Sequence, residues 1–141
     1  MPNTPAQWIA NGDIRPCRFI KADVTAGKDH YALECDANDR IDGISQEGTN
    51  KAQTPDITAT LAAAAAEQFR AFGPGDQCLL ELGGTVVQGD RLKSDADGKG
   101  VAIATSGTTI QQIGARALSA GASGEKIPVE VTIYSERPAL S

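Results

Sequence analysis

Apolar runs in this chain are short, and Gly, Pro, Asp or Asn cuts nearly every one within a few residues. That punctuation predicts a mainly-β domain of short strands joined by tight turns. The strand candidates are Ile14 to Ala22, Tyr31 to Cys35, Arg40 to Ser45, Gln68 to Phe72, Gln77 to Leu82, Thr85 to Val87, Asp90 to Ser94, Val101 to Thr105, Gln112 to Leu118 and Ile127 to Tyr134. Pro16 stands near the start of the first, where a missing N–H is tolerated, and Pro128 argues that the last begins at an edge. Ala37-Asn38-Asp39 and Gly73-Pro74-Gly75-Asp76 read as turns. Asp95-Ala96-Asp97-Gly98 reads as a hairpin turn, with Gly98 at the positive φ such turns need. Asp42-Gly43 suggests a bulge or turn inside its strand.

Three stretches depart from this pattern. Residues 1–13 hold two prolines and an Asn-Gly pair and read as an N-terminal arm, with Trp8-Ile9 as its only apolar anchor. Residues 14–141 then form a single β domain. Gln46 to Asp56 is polar and reads as an exposed loop. Ala62 to Ala66 has high helix propensity, but the run is short, and an extended connection is the preferred reading.

An internal echo is present. Phe19-Ile-Lys-Ala-Asp23 resembles Arg91-Leu-Lys-Ser-Asp95, and Ile41-Asp-Gly-Ile-Ser45 loosely resembles Ile113-Gly-Ala-Arg-Ala117. Two explanations stand open: a duplicated β unit over 15–60 and 76–134, or chance in a restricted β alphabet.

Composition narrows the function more than it identifies it. The 141 residues carry a net charge of −5 and only 4% aromatics. A nucleic-acid partner is disfavoured, since it needs clustered Lys and Arg, and so is an anionic membrane surface. No apolar run is long enough for a membrane helix, and no secretory leader is recognisable. Cys17, Cys35 and Cys78 are odd in number and widely spaced, which predicts three reduced, buried thiols.

No catalytic set can be assembled, so no enzyme activity and no cofactor are expected. His30 is the only histidine, and its neighbour Asp29 would point to the opposite face of a strand. Three Cys and one His lack zinc spacing. Read as a calcium loop, Asp95, Asp97 and Gly98 would have Lys93 and Ala104 where the key ligands belong, so no metal site is expected. Gly83-Gly84 and Gly73-x-Gly75 have no βαβ unit around them.

The run Gly89-Asp-Arg-Leu-Lys-Ser-Asp-Ala-Asp-Gly-Lys99, followed by Gly124-Glu-Lys-Ile127, resembles the small capsid cement or decoration proteins of tailed bacteriophages. The resemblance spans roughly Ile14 to Tyr134. It implies a small β-barrel or β-tulip-like domain, commonly trimeric, that binds the major capsid protein on the outside of an assembled head and braces it. It further implies a virion location, with the host cytoplasm as the site of assembly. The candidate shell or subunit contacts are Trp8, Ile9, Ile14, Phe69 and Phe72. The alternatives are a carbohydrate- or host-surface-binding module of a phage fibre, which would want more aromatic platforms, and last a small hydrolase or lyase domain.

Overall fold

A computed structural model describes residues 6–25, 27, 30–47, 63, 66–103 and 110–136. Ten strands build it, and no helix occurs among the described residues. They are β1 (Ala6–Ala10), β2 (Phe19–Ala22), β3 (Tyr31–Glu34), β4 (Gly43–Ser45), β5 (Gln68–Phe72), β6 (Gln77–Glu81), β7 (Arg91–Ser94), β8 (Gly100–Ala102), β9 (Gln111–Ala117) and β10 (Lys126–Glu136). The first five close into a barrel in the order β1-β3-β2-β4-β5, and the last five form a sheet in the order β6-β10-β9-β7-β8. The mainly-β expectation of short strands and barrel closure holds.

The two groups of five have one topology. In the first, β1 and β3 pair in parallel and every other pairing is antiparallel. In the second, the parallel step is a single bridge, Leu82 to Gly100, and all other pairings are again antiparallel. Registers match as well. Phe19↔Ile44 corresponds to Arg91↔Arg116, Ala6↔Ala71 to Cys78↔Val129, and the bridge Ile14↔Ala63 to Val86↔Gly121. Most equivalent positions lie 72 residues apart, as Phe19 and Arg91 do. The connection after β4 is where the halves differ most: Ser45 and its partner Ala71 are 26 residues apart, their equivalents Ala117 and Val129 only 12. The two sequence echoes fall on equivalent strands, β2 with β7 and β4 with β9.

Each half has an alternating inner face: the closed first barrel, and the second sheet, a second barrel in strand order although it does not close. Trp8, Ala10, Ile14, Ile20, Ala32, Ala63, Phe69 and Ala71 fill the first. Their equivalents in the second are Leu80, Leu82, Val86, Leu92, Gly100, Gly121, Ile127 and Val129. Large and small residues are therefore redistributed at nearly constant topology. Two aromatics and four alanines fill the first interior, and branched aliphatics against two glycines fill the second. Gly100 and Gly121 have no room for a Cβ, which would lie 2.5 Å from Leu80 and 2.6 Å from Ile127. The second cluster extends beyond its own barrel to Phe19, Cys35, Ile41, Ile44 and Phe72, so both halves share one apolar joint.

Several expectations need correction. Residues 6–10 of the supposed arm are strand β1, held between β3 and β5. Ile14 to Ala22 is not one strand, because Cys17 takes φ +59 and turns the chain before β2. Thr85 to Val87 is reduced to the bridge at Val86. Pro128 lies in β10, which is paired on both sides, and not in an edge strand. Within the alanine run, Ala63 is a buried bridge residue and Ala66 a turn residue with φ +68. The other alanines of that run lie outside the described residues, as do 48–56 of the polar loop, Asp29, and 104–105 at the end of one strand candidate.

Candidate interaction surface

The five candidate contact residues are all held within the molecule. Trp8 and Phe69 are cross-strand partners in the first barrel, where Phe69 is buried and Trp8 packs on the interior cluster. Ile14 is fully buried beneath the bridge to Ala63, and Ile9 is half-buried in β1 opposite Tyr31. Phe72 packs into the joint between the barrels. A Trp8-Ile9 anchor is therefore part of a barrel wall, and deleting residues 1–12 would open that barrel and not merely remove a tether.

The joint is built from the turn before β2. Glu81 N–H donates to Cys17 O at 2.9 Å, and Phe19 N–H donates to Gly98 O at 2.8 Å. Residues 17–19 thus lie between β6 and the 95–98 hairpin, in the seam that the first barrel closes for itself through Ile9 N–H to His30 O at 2.8 Å. Gly98 has φ +79, and a Cβ there would come within 3.1 Å of Phe19 O. Arg18 is 5% exposed and spans the seam, donating to Glu81 Oε2 at 3.1 Å and to Asp97 O at 3.0 Å. Its buried Nε has no hydrogen-bond partner. Lys99 also reaches Glu81, at 3.5 Å. Arg15 forms a two-nitrogen contact with Glu34, whose hydrogen bond holds the guanidinium pKa above its ordinary value. Asn38 completes the joint. Its N–H donates to Ser94 O, its Nδ2 donates to Ile110 O, and its Oδ1 accepts from Gln112 N–H.

Two outer surfaces stand out among the described residues. One is the row Arg91, Arg116 and Glu130, directly registered across β7, β9 and β10. Arg116 and Glu130 pair at 3.2 Å, and both Arg91 and Arg116 are exposed. Arg91 and Arg116 are like charges at opposed positions, which disfavours their pairing, whereas Arg116 and Glu130 are opposite charges, which favours theirs. The other is a depression of about 370 Å³ on the first barrel, lined by Lys21, Ala22, Val24, Asp39, Arg40 and Asp42. Lys21 donates to Asp39 at 2.6 Å, which raises the lysine pKa and lowers that of the aspartate. Asp42 accepts Ala22 N–H, and Val24 stands 94% exposed at the rim.

His30 is exposed at a turn with φ +63. The Asp95 carboxylate accepts the N–H groups of Asp97 and Lys99, which is turn geometry. Among the described residues no group of three or more His, Cys, Asp or Glu converges as a metal site. The three cysteines are unpaired and buried. Burial pushes the Cys17 thiol up to about 11 and Cys78 to about 12, and raises Cys35 as well, so all three are poor nucleophiles.

No protein-family model and no curated protein matches the chain. Among solved structures, it is similar to the N base of the head fiber gp8.5 of bacteriophage phi29. The TM-score is 0.64 at 13% identity, covering 92% of this chain and 93% of that one. At that identity the likeness is one of fold, and it extends through both barrels. Sequence reasoning missed the joint and the two outer surfaces. The signal that could have found them was the 72-residue offset, which places Arg91 and Arg116 where Phe19 and Ile44 stand.

Proposed function

We propose that this chain is a structural protein of a bacteriophage virion that binds the outer surface of the assembled head. One observation carries the reading: the fold likeness to a head-fiber base runs through nearly the whole of both chains. The resemblance of the Gly89-to-Lys99 run to capsid cement proteins supports the same location. The role is non-enzymatic, the partner is the major capsid protein, and the working form is a homotrimer. A net charge of −5 suits the outside of the shell, away from packaged DNA.

Two finer roles fit that location. A cement protein fills the lattice and braces it, whereas a fiber base occupies few positions and carries something outward. The head-fiber neighbour favours the second and the sequence resemblance the first. The test is to incubate the purified chain with heads that lack it, sediment them, and determine bound copies by mass. Saturation at the density of lattice positions, with delayed thermal rupture, is the outcome expected of cement. Saturation at a small subset, without added heat resistance, identifies a base. Failure to co-sediment with heads at all overturns the head reading.

A further inference from the structure

Asn11-Gly12 is the one place in the chain where asparagine precedes glycine; Asn3, Asn38 and Asn50 precede Thr4, Asp39 and Lys51. The pair lies just past β1, in a bend between Ala10 and the buried bridge residue Ile14. The Asn11 N–H donates to Ala32 O at 2.9 Å, which carries the parallel seam of the first barrel one step further. Among the described residues the Gly12 N–H donates to no acceptor. Gly12 takes φ +124, and a Cβ there would meet only Leu33, at 4.0 Å. Its amide is thus neither held by a hydrogen bond nor shielded by a side chain of its own.

The repeat shows that Asn11 stands in a slot beside a carboxylate. Asn11 corresponds to Gly83, whose N–H donates to Gly100 O at 2.9 Å as that of Asn11 does to Ala32 O. Asp23 corresponds to Asp95: their N–H groups donate to Tyr31 O and Lys99 O, both at 2.9 Å. In the second half the slot has no room for a side chain, because a Cβ at Gly83 would collide with the Asp95 carboxylate. In the first half it holds an amide, and Asn11 Nδ2 donates to Asp23 Oδ2. The other oxygen of Asp23 accepts the Thr25 N–H at 3.0 Å. A neutral donor suits this carboxylate, whereas a second carboxylate in the same place would repel it.

We propose that Asn11 is a site of spontaneous deamidation, and that its conversion loosens the seam that closes the first barrel. Hydroxide removes the Gly12 N–H proton, and the nitrogen attacks Asn11 Cγ. The new N–Cγ bond closes a five-membered imide. The Cγ–Nδ2 bond breaks, and Nδ2 leaves as ammonia with a proton from water, which regenerates hydroxide. Water then opens the ring. Cleavage at Cγ leaves aspartate, and cleavage at the main-chain carbonyl leaves isoaspartate, whose backbone runs through Cβ. The balance is one water consumed and one ammonia released.

Both products act on the same seam. Either sets a carboxylate against Asp23 where an amide had donated. Isoaspartate also lengthens the main chain by one carbon between two fixed points, Ala10, whose N–H donates to Glu67 O, and Ile14, which bridges Ala63. The inference needs no partner and does not rest on the head reading.

The test ages the purified full chain at mildly alkaline pH and follows it by mass spectrometry after digestion in acid, where imide formation is slow. The peptide holding Asn11 should gain the mass of exchanging NH for O, as a mixture of aspartate and isoaspartate. Peptides holding Asn3, Asn38 and Asn50 should convert far more slowly, since a side chain shields the amide that follows each. A synthetic peptide of residues 7–16 is aged beside the protein. Conversion of that peptide while Asn11 stays intact in the protein overturns the inference, because the fold would then protect the bond. The effect on the seam is read separately. Asn11→Asp should lower the urea midpoint, and Asn11→Asp with Asp23→Asn should restore it, since one amide and one carboxylate face each other again. An unchanged midpoint in the single variant, or a loss that the double variant does not recover, overturns the link between deamidation and the seam.

Discussion

The first barrel closes on itself and the second does not, although their strands are joined in the same order. In the first, Ile9 and Ala10 pair with Tyr31 and Ala32 along the parallel seam. In the second, the seam keeps only the bridge at Leu82 and Gly100, and residues 17–19 of the first barrel occupy the rest. The difference teaches how one topology serves two ends. Interiors can trade aromatics and alanines for aliphatics and glycines, since total volume and inward patterning decide whether a core forms. Outer rows are free to diverge. Phe19–Ile44–Phe72 became a buried joint, and Arg91–Arg116–Glu130 remained at the surface.

The largest expected effect comes from attacking the joint. Gly114→Val places a branched side chain where Phe19 and Ile41 already lie within 2.6 Å of the Cβ position. The nearest atoms are Ile41 Cδ1 and Phe19 Cε1, and both side chains are buried, so neither can swing out into solvent. Overpacking of this kind costs about 3 kcal/mol, read as a lower urea midpoint. The transition should also broaden or split, because two barrels that no longer dock can unfold separately. A loss below about 1 kcal/mol with one sharp transition would mean that the barrels are not joined through this strip.

A smaller effect, the coupling between two substitutions, tests whether the interiors are exchangeable. Gly121→Ala meets Ile127 at 2.6 Å and Leu82 at 2.8 Å and should cost about 2 kcal/mol. The first barrel has alanine at both equivalent positions, Ala63 and Ala10. Leu82→Ala alone leaves a cavity and costs about 3 kcal/mol. Combined, the two changes reproduce the first barrel's pair, and the total should fall short of the sum by about 1 kcal/mol. Strict additivity in denaturant melts would show that the interiors are not equivalent in packing.

What the sequence disclosed follows the range of the interactions involved. Turns are local, and Asp95 to Gly98 could be placed because Gly adopts φ +79 at the least steric cost and Asp95 bonds two nearby N–H groups. The strands β6 and β7 were legible because alternation is local too. Strand β1 was not. Ala6–Ala10 has no clear alternation, and its place is set by partners some twenty and sixty residues away. Trp8 therefore read as a loose anchor when it is a wall residue paired with Phe69. The charged row and the depression were hidden for a related reason. Both gain meaning only when three strands are laid side by side, and the first barrel's longer connection after β4 breaks the offset that would have aligned the halves.

The smallest effect concerns backbone strain that one barrel carries and the other has relieved. Cys17, His30 and Ala66 take φ +59, +63 and +68, and their equivalents Gly89, Gly98 and Gly124 take +92, +79 and +88. Ala66 is the cleanest of the three, since it is exposed and its N–H donates to Ala10 O at 2.7 Å, as Gly124 N–H does to Leu82 O. A Cβ in the left-handed region costs roughly 1–2 kcal/mol. Replacing it by glycine recovers that, less the extra freedom glycine gains in the unfolded chain, roughly 0.5–1 kcal/mol. Ala66→Gly should therefore stabilise the protein by about 0.5–1 kcal/mol. Gly124→Ala should destabilise it by a similar amount, and nothing lies within 4 Å of the added Cβ to complicate the reading. Matched, opposite shifts in the urea midpoint would show that the two turns are energetic equivalents. A destabilising Ala66→Gly would mean that the first barrel's turn is held by its alanine side chain, and that the repeat is one of topology without shared energetics.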